Sequence, residues 1–113
     1  MSPITTHVLD TSLGRPAEGV TVTLEFRGAN GIFQQVGFGT TDADGRLRTL
    51  LSPEAFHAGS YRITFDVRSY HAAQEIDGFY PEIPIVFYVR SVDQHYHVPL
   101  LLSPWGYSTY RGS

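Results

Sequence analysis

The chain contains no cysteine, which excludes disulfides, thiolate-held metal and a cysteine nucleophile, and agrees with a reducing, cytoplasmic setting. It has no basic cluster either. With a net charge of −3 and its arginines spread along the sequence, nothing is in place to neutralise a run of phosphates, so nucleic acid is not an expected partner. The longest apolar run, Val98 to Leu102, is broken by Pro99 and is far too short to cross a bilayer, so no membrane partner is expected. Met1-Ser2-Pro3-Ile4 enters a strand-like pattern without the charged start and apolar segment of a secretory leader, and the expectation is a soluble chain that is not exported. Glycine-rich phosphate cradles and a Gly-x-Ser-x-Gly elbow are absent, which removes two common routes to phosphoryl and acyl transfer. No repeat or linker divides the 113 residues, a length that predicts one domain, 1–113.

What is present is alternation. Hydrophobic residues make up 42% and charged residues 17%, a globular balance. Ile4 to Asp10 places Thr6 and Val8 on one face and Thr5, His7 and Leu9 on the other, the period of a strand. Val20 to Phe26 alternates with a clean apolar face, and Ile32 to Thr40 gives a third strand in which Gly37 and Gly39 mark a bulge or a close backbone approach. Thr41 to Gly45 reads as an Asp-Gly turn that puts Arg46 at the head of a strand Arg46 to Leu51. Ser52-Pro53 allows at most one helical turn, Tyr61 to Val67 is a fifth strand, and Ser69 to Glu75 is the one short helix. Ile85 to Val89 starts at Pro84 and so reads as a strand near an edge, and Gln94 to Leu102 and Tyr107 to Tyr110 follow around Ser103-Pro104-Trp105-Gly106. About eight short strands with turn signals between them predict an all-β sandwich.

The last stretch carries most of the chemistry. Tyr96, Val98, Leu100 and Leu102 share a uniformly apolar face, which places it in the interior and leaves His95, His97, Pro99 and Leu101 outside, joined by Tyr110 if Thr109 turns inward. An outer face of this kind predicts association through the sheet. A tail of Tyr110, Arg111, Gly112 and Ser113 directly after a strand predicts a docked end. Three readings of the histidines compete. They are surface or interface groups, or His95 and His97 grip a metal, or His7 and His97 move protons near neutrality. No carboxylate or third histidine at a telling spacing supports the metal. Arg46 by spacing alone is a solvated charge beside a turn. Spacing does not choose among them.

Thr6-His7-Val8-Leu9-Asp10 with Gly14-Arg15-Pro16-Ala17, Thr41-Asp42-Ala43-Asp44-Gly45-Arg46, Tyr61-Arg62-Ile63-Thr64-Phe65, Phe79-Tyr80-Pro81-Glu82, His95-Tyr96-His97-Val98-Pro99-Leu100-Leu101-Leu102-Ser103-Pro104 and Tyr110-Arg111-Gly112-Ser113 closely resemble the 5-hydroxyisourate hydrolases, the transthyretin-related enzymes of urate breakdown. The resemblance runs nearly the whole length, and the terminal tetrapeptide is its most specific element. It implies a transthyretin-like (prealbumin-like) sandwich of two four-stranded sheets and a homotetramer whose central channel holds the active sites. The implied activity is hydrolytic ring opening of 5-hydroxyisourate without metal or organic cofactor. The implied catalytic residues are His7, Arg46, His97 and Ser113, with His7, Arg46, Tyr110 and Arg111 at the substrate. The alternative is a transthyretin-like carrier that binds a small ligand without chemistry. His57, His71 and His95 are left with surface or interface roles.

Overall fold

The computed structural model describes residues 2–113; Met1, the first residue of the expected domain, lies outside the described residues. Among the described residues, nine strands, one 3-10 turn and one short helix form two layers. One sheet takes β3 (Thr21–Arg27), β4 (Phe33–Thr40), β6 (Gly59–Asp66) and β7 (Ile83–Val89) in the order β4-β3-β6-β7, all antiparallel. The other runs β2-β1-β8-β9, from β1 (Ile4–Asp10), β2 (Arg15–Pro16), β8 (Tyr96–Ser103) and β9 (Gly106–Thr109), with β5 (Arg46–Leu47) added against β1. This sheet counts five strands because β2 and β5, two residues each, both pair with β1 at different points along it. The all-β sandwich with one short helix is the expected architecture.

The inner faces follow the alternation. Ile4 and Val8 of β1 and Leu100 of β8 meet Val22 and Leu24 of β3 and Ile63 and Phe65 of β6, all fully buried. Each such side chain contributes about 1.5–3 kcal/mol by leaving water. Because β1 and β8 are parallel and in register from Ile4↔Tyr96 to Asp10↔Leu102, their inner residues stack side by side and so do their outer ones. The outer face of this pair therefore sets Thr5 beside His97 and His7 beside Pro99.

Most boundaries shift by one or two residues from the sequence reading, and three of the differences have a physical reason that bears on the fold. The strand expected over Arg46 to Leu51 ends at Leu47, because Leu50 and Leu51 are both buried and consecutive strand residues face opposite sides. The chain turns there, and the Leu50 carbonyl comes so close to Gly37 that a Cβ on that glycine would sit 1.9 Å from it. Gly37 also adjoins a bulge, since Leu24 pairs Gly37 while Glu25 pairs Gln35, leaving Val36 extra, so both expectations for this glycine hold.

The helix, expected over Ser69 to Glu75, is α1 (Val67–Ala72). Asp66 caps it, accepting from the Ser69 N–H at 3.2 Å and the Ser69 hydroxyl at 2.9 Å. The earlier start turns Val67, Tyr70 and His71 inward, so His71, expected at a surface or interface, is only 2% exposed. Finally, Pro84 lies inside β7 rather than before it. It is tolerated because β7 is an edge strand, where a missing N–H interrupts no ladder on the open side.

Candidate active site

The site is built on the outer face of β5, β1 and β8. Thr41 to Gly45 forms a tight loop in which the Asp42 carboxylate accepts from the Asp44 and Arg46 N–H groups, each at 2.9 Å. Gly45 sits at φ +74°, and its carbonyl accepts from the Val8 N–H at 2.8 Å, anchoring the loop to β1. A side chain there would meet the Val8 carbonyl at 2.4 Å. The loop thereby pairs Arg46 with His7 across an antiparallel register, which puts their Cβ atoms about 4.5–5.5 Å apart on one face. The Asp-Gly turn that looked like a place for a solvated charge is what brings Arg46 to a histidine. Among the described residues Arg46 has no carboxylate within ion-pair distance.

The tail arrives from the other side. Leu100↔Thr109 continues the β8–β9 register to a single bridge, His97↔Gly112, closed by the Gly112 N–H donating to the His97 carbonyl at 2.8 Å. The ladder is interrupted between them because Pro99 has no N–H to give, and the Thr109 hydroxyl instead donates to the Pro99 carbonyl at 2.7 Å. Only a residue without a side chain fits at the bridge, since a Cβ on Gly112 would lie 2.6 Å from the His97 ring. The expected docked end is real, and it carries Ser113 to the histidines.

Thr5, Arg46, Arg48, His95, His97 and Ser113 line a cavity of about 180 Å³. Larger clefts flank α1, but their linings contain no histidine. His97 Nδ1 lies 2.8 Å from the Thr5 hydroxyl, and the same hydroxyl lies 3.0 Å from His95 Nε2. His7 stands just outside this lining, its Nε2 2.9 Å from the Asp44 carbonyl. A carbonyl only accepts, so His7 carries its proton on Nε2 and leaves Nδ1 as the basic atom. Burial and the Arg46 charge hold the His7 imidazole below its ordinary pKa, against the bond from Asp44 and the charges of Asp42 and Asp44. Burial lowers the His97 pKa most, followed by the charges of Arg46, His95 and His7, and Thr5 opposes them. Both rings are thus neutral near pH 7 and able to accept a proton.

Not every expected residue converges. Tyr110 is 58% exposed and stands outside the cavity lining, although the register puts it on the cavity side of the tail. Arg111 is turned to the opposite face. Its guanidinium lies 4.4 Å above the Tyr96 ring and donates to the Gln94 side chain at 2.9 Å, which ties the tail to the start of β8 rather than reaching the cavity. The residues missed by the sequence reading are Thr5, Arg48 and the Asp44 carbonyl. Thr5 had one available signal, its place two residues before His7 on the same strand face.

A model of the HIUase/Transthyretin family matches residues 4–112, nearly the whole chain. The chain belongs to this family. It is 46% identical over 110 residues to the 5-hydroxyisourate hydrolase of Salmonella dublin, covering 97% of this chain and 80% of that protein. With the 5-hydroxyisourate hydrolase of Mus musculus it shares 42% identity over 113 residues, 99% of this chain and 96% of that one. Among solved structures it superposes on sea bream transthyretin, crystallised in complex with thyroxine, with a TM-score of 0.93 and 33% identity over 98% of this chain and 95% of that one. The HIUase/Transthyretin family thus contains both proteins named as hydrolases and proteins named as transthyretins. The fold does not distinguish them, so the side chains of the site must.

Proposed function

We propose that this chain hydrolyses 5-hydroxyisourate to 2-oxo-4-hydroxy-4-carboxy-5-ureidoimidazoline, a step of urate degradation. One observation carries the reading. His7, Arg46 and His97, far apart in sequence, meet on one sheet face with two neutral imidazoles next to a guanidinium that forms no ion pair among the described residues. The relatives named for that reaction support it.

In the reaction an imidazole takes a proton from water, and the resulting hydroxide attacks a carbonyl of the six-membered ring. The oxyanion formed there is held by Arg46, whose permanent charge and planar fork suit a carbonyl-rich substrate, with Arg48 adding to the positive field. The ring carbon–nitrogen bond then breaks, and the proton held on imidazole passes to the departing nitrogen. The product gains an N–H and a carboxylic acid, which releases its proton to solvent as it ionises, and the protein returns to its starting protonation state. Ser113 orients the charged groups at the cavity rim, and Tyr110 borders the substrate from the tail. No step calls on a metal or an organic cofactor.

Mixing the protein with freshly generated 5-hydroxyisourate and following its ultraviolet absorbance tests this. The expected result is decay faster than the spontaneous rate, reduced roughly 10²–10⁴-fold by His97→Asn or His7→Asn. A wild-type chain that leaves the spontaneous rate unchanged sinks the hydrolase reading and favours a ligand carrier.

The assembly that fits is a homotetramer with the site-bearing faces turned toward a central channel. The cavity opens on that face, and the edge strands β7 and β9 expose Val86, Tyr88 and Tyr107 with Trp105 at the hairpin tip. Sedimentation should return four chains per particle. We place the activity in the cytoplasm, consistent with a sequence without cysteine.

A further inference from the structure

We propose that Thr5 and His95 are positioning residues that hold His97 in the one tautomer able to act as a base toward the cavity. The inference rests on the hydrolase reading for its catalytic meaning, but the tautomer itself can be measured without substrate.

The argument is a count of protons. A threonine hydroxyl has one hydrogen to donate and two lone pairs to accept with. Here it is flanked by two ring nitrogens, His97 Nδ1 at 2.8 Å and His95 Nε2 at 3.0 Å, and both distances are those of full hydrogen bonds. While both rings are neutral, Thr5 gives its hydrogen to one nitrogen and accepts one from the other. If the hydrogen goes to His95, then His97 carries its own on Nδ1 and its Nε2 is bare. If it goes to His97, then Nε2 of His97 is protonated and cannot take a proton from water. The two ring states are locked together through a single hydroxyl.

Several features favour the first arrangement. His97 Nε2 has no hydrogen-bond partner among the described residues and is not sealed from solvent, as the free nitrogen of a base requires. Thr5 is 6% exposed, so water has little access to compete for its hydroxyl. His95, just before β8, and His97, within it, stand two residues apart with nearly parallel rings, 21° between planes, so Thr5 meets both from the adjacent strand β1. The charged groups around the pair are Arg46 and Arg48 from the β5 side, His7 from β1, and Arg111, which reaches the His95 carbonyl at 3.4 Å. All of these side chains are basic; Ser113, the last residue, lines the same cavity, but the hydrogen bond that His97 Nδ1 makes is to the Thr5 hydroxyl. In this protein the group that orients the base is a hydroxyl backed by a second histidine.

The test is the ring tautomer of His97, read from its two nitrogen-15 shifts in wild type and in three variants at neutral pH. Wild type should carry hydrogen on Nδ1 with Nε2 bare. Thr5→Val keeps the shape and removes the hydroxyl, and should yield a tautomer mixture with kcat/KM reduced by about tenfold, a part of the roughly 10²–10⁴ that a placed base supplies. Thr5→Ser restores the hydroxyl and should recover both readouts. His95 is exposed, so His95→Leu does not threaten folding; it should release the Thr5 hydrogen toward His97 Nδ1 and raise the Nε2-protonated form. A His97 whose nitrogen shifts are the same in wild type, Thr5→Val and His95→Leu overturns the proposal, as does a wild type protonated on Nε2. If wild type fails to accelerate decay of 5-hydroxyisourate while these shifts behave as expected, the hydrolase reading falls and the positioning role stands.

Discussion

Arg46 acts on the histidines through space as well as on the substrate. Its guanidinium is the second cause, after burial, of the lowered pKa at both His7 and His97. A cation beside an imidazole disfavours the imidazolium, so removing it must raise both pKa values. Arg46→Gln should therefore move the acid limb of the kcat/KM profile to higher pH, toward the ordinary imidazole value of 6.5, while KM rises from the lost grip on substrate oxygens. A pH profile of the variant with an unmoved acid limb would separate Arg46 from the histidines. At this scale the residue pattern offered His7 and His97 as one of three readings, and the resemblance added Arg46 and Ser113. The Asp44 carbonyl could not be named from either, because any residue has one and only the folded loop aims it at His7.

The loop from Thr41 to Gly45 shows how a short element controls a distant side chain. Gly45 is held at φ +74° against the Val8 carbonyl, so Gly45→Ala is opposed by both the left-handed backbone and the close approach. A loss of roughly 1–3 kcal/mol is expected, read as a lower urea midpoint, and KM should rise because Arg46 is carried on the same loop. An unchanged midpoint would mean that the loop can leave β1 freely. The turn itself was visible as Asp-Gly, and the strands over Ile4 to Asp10 and Gln94 to Leu102 as alternation. Their boundaries at Leu47 and Val67 were not, since they depend on where Leu50, Leu51 and His71 find room to be buried.

At the scale of the whole molecule the tail is part of the site rather than an appendage. Gly112 bridges His97 and Ser113 reaches the cavity, so added chain after Ser113 must pass through the cavity rim or pull the bridge apart. A tag fused after Ser113 should lower turnover more than the same tag fused before Met1, with both proteins folded by circular dichroism. Equal activity would refute the docked role of the tail. The same reasoning predicts that the assembly buries the site-bearing face, and sedimentation reads this independently of turnover.

Alternation by itself determined which side chains line the core and which stand outside it, because a strand gives each residue one face and the apolar face must be the buried one. That was enough to place His7, His95 and His97 on an outer surface and to expect a sandwich. Only the tertiary structure decided that β1 lies parallel to β8 in the register that sets Thr5 beside His97, and that β5 crosses β1 at His7. Pairing partners are chosen by the fit of the entire core, a property of all the strands together that no stretch of sequence carries alone. The two histidines share a site for that reason.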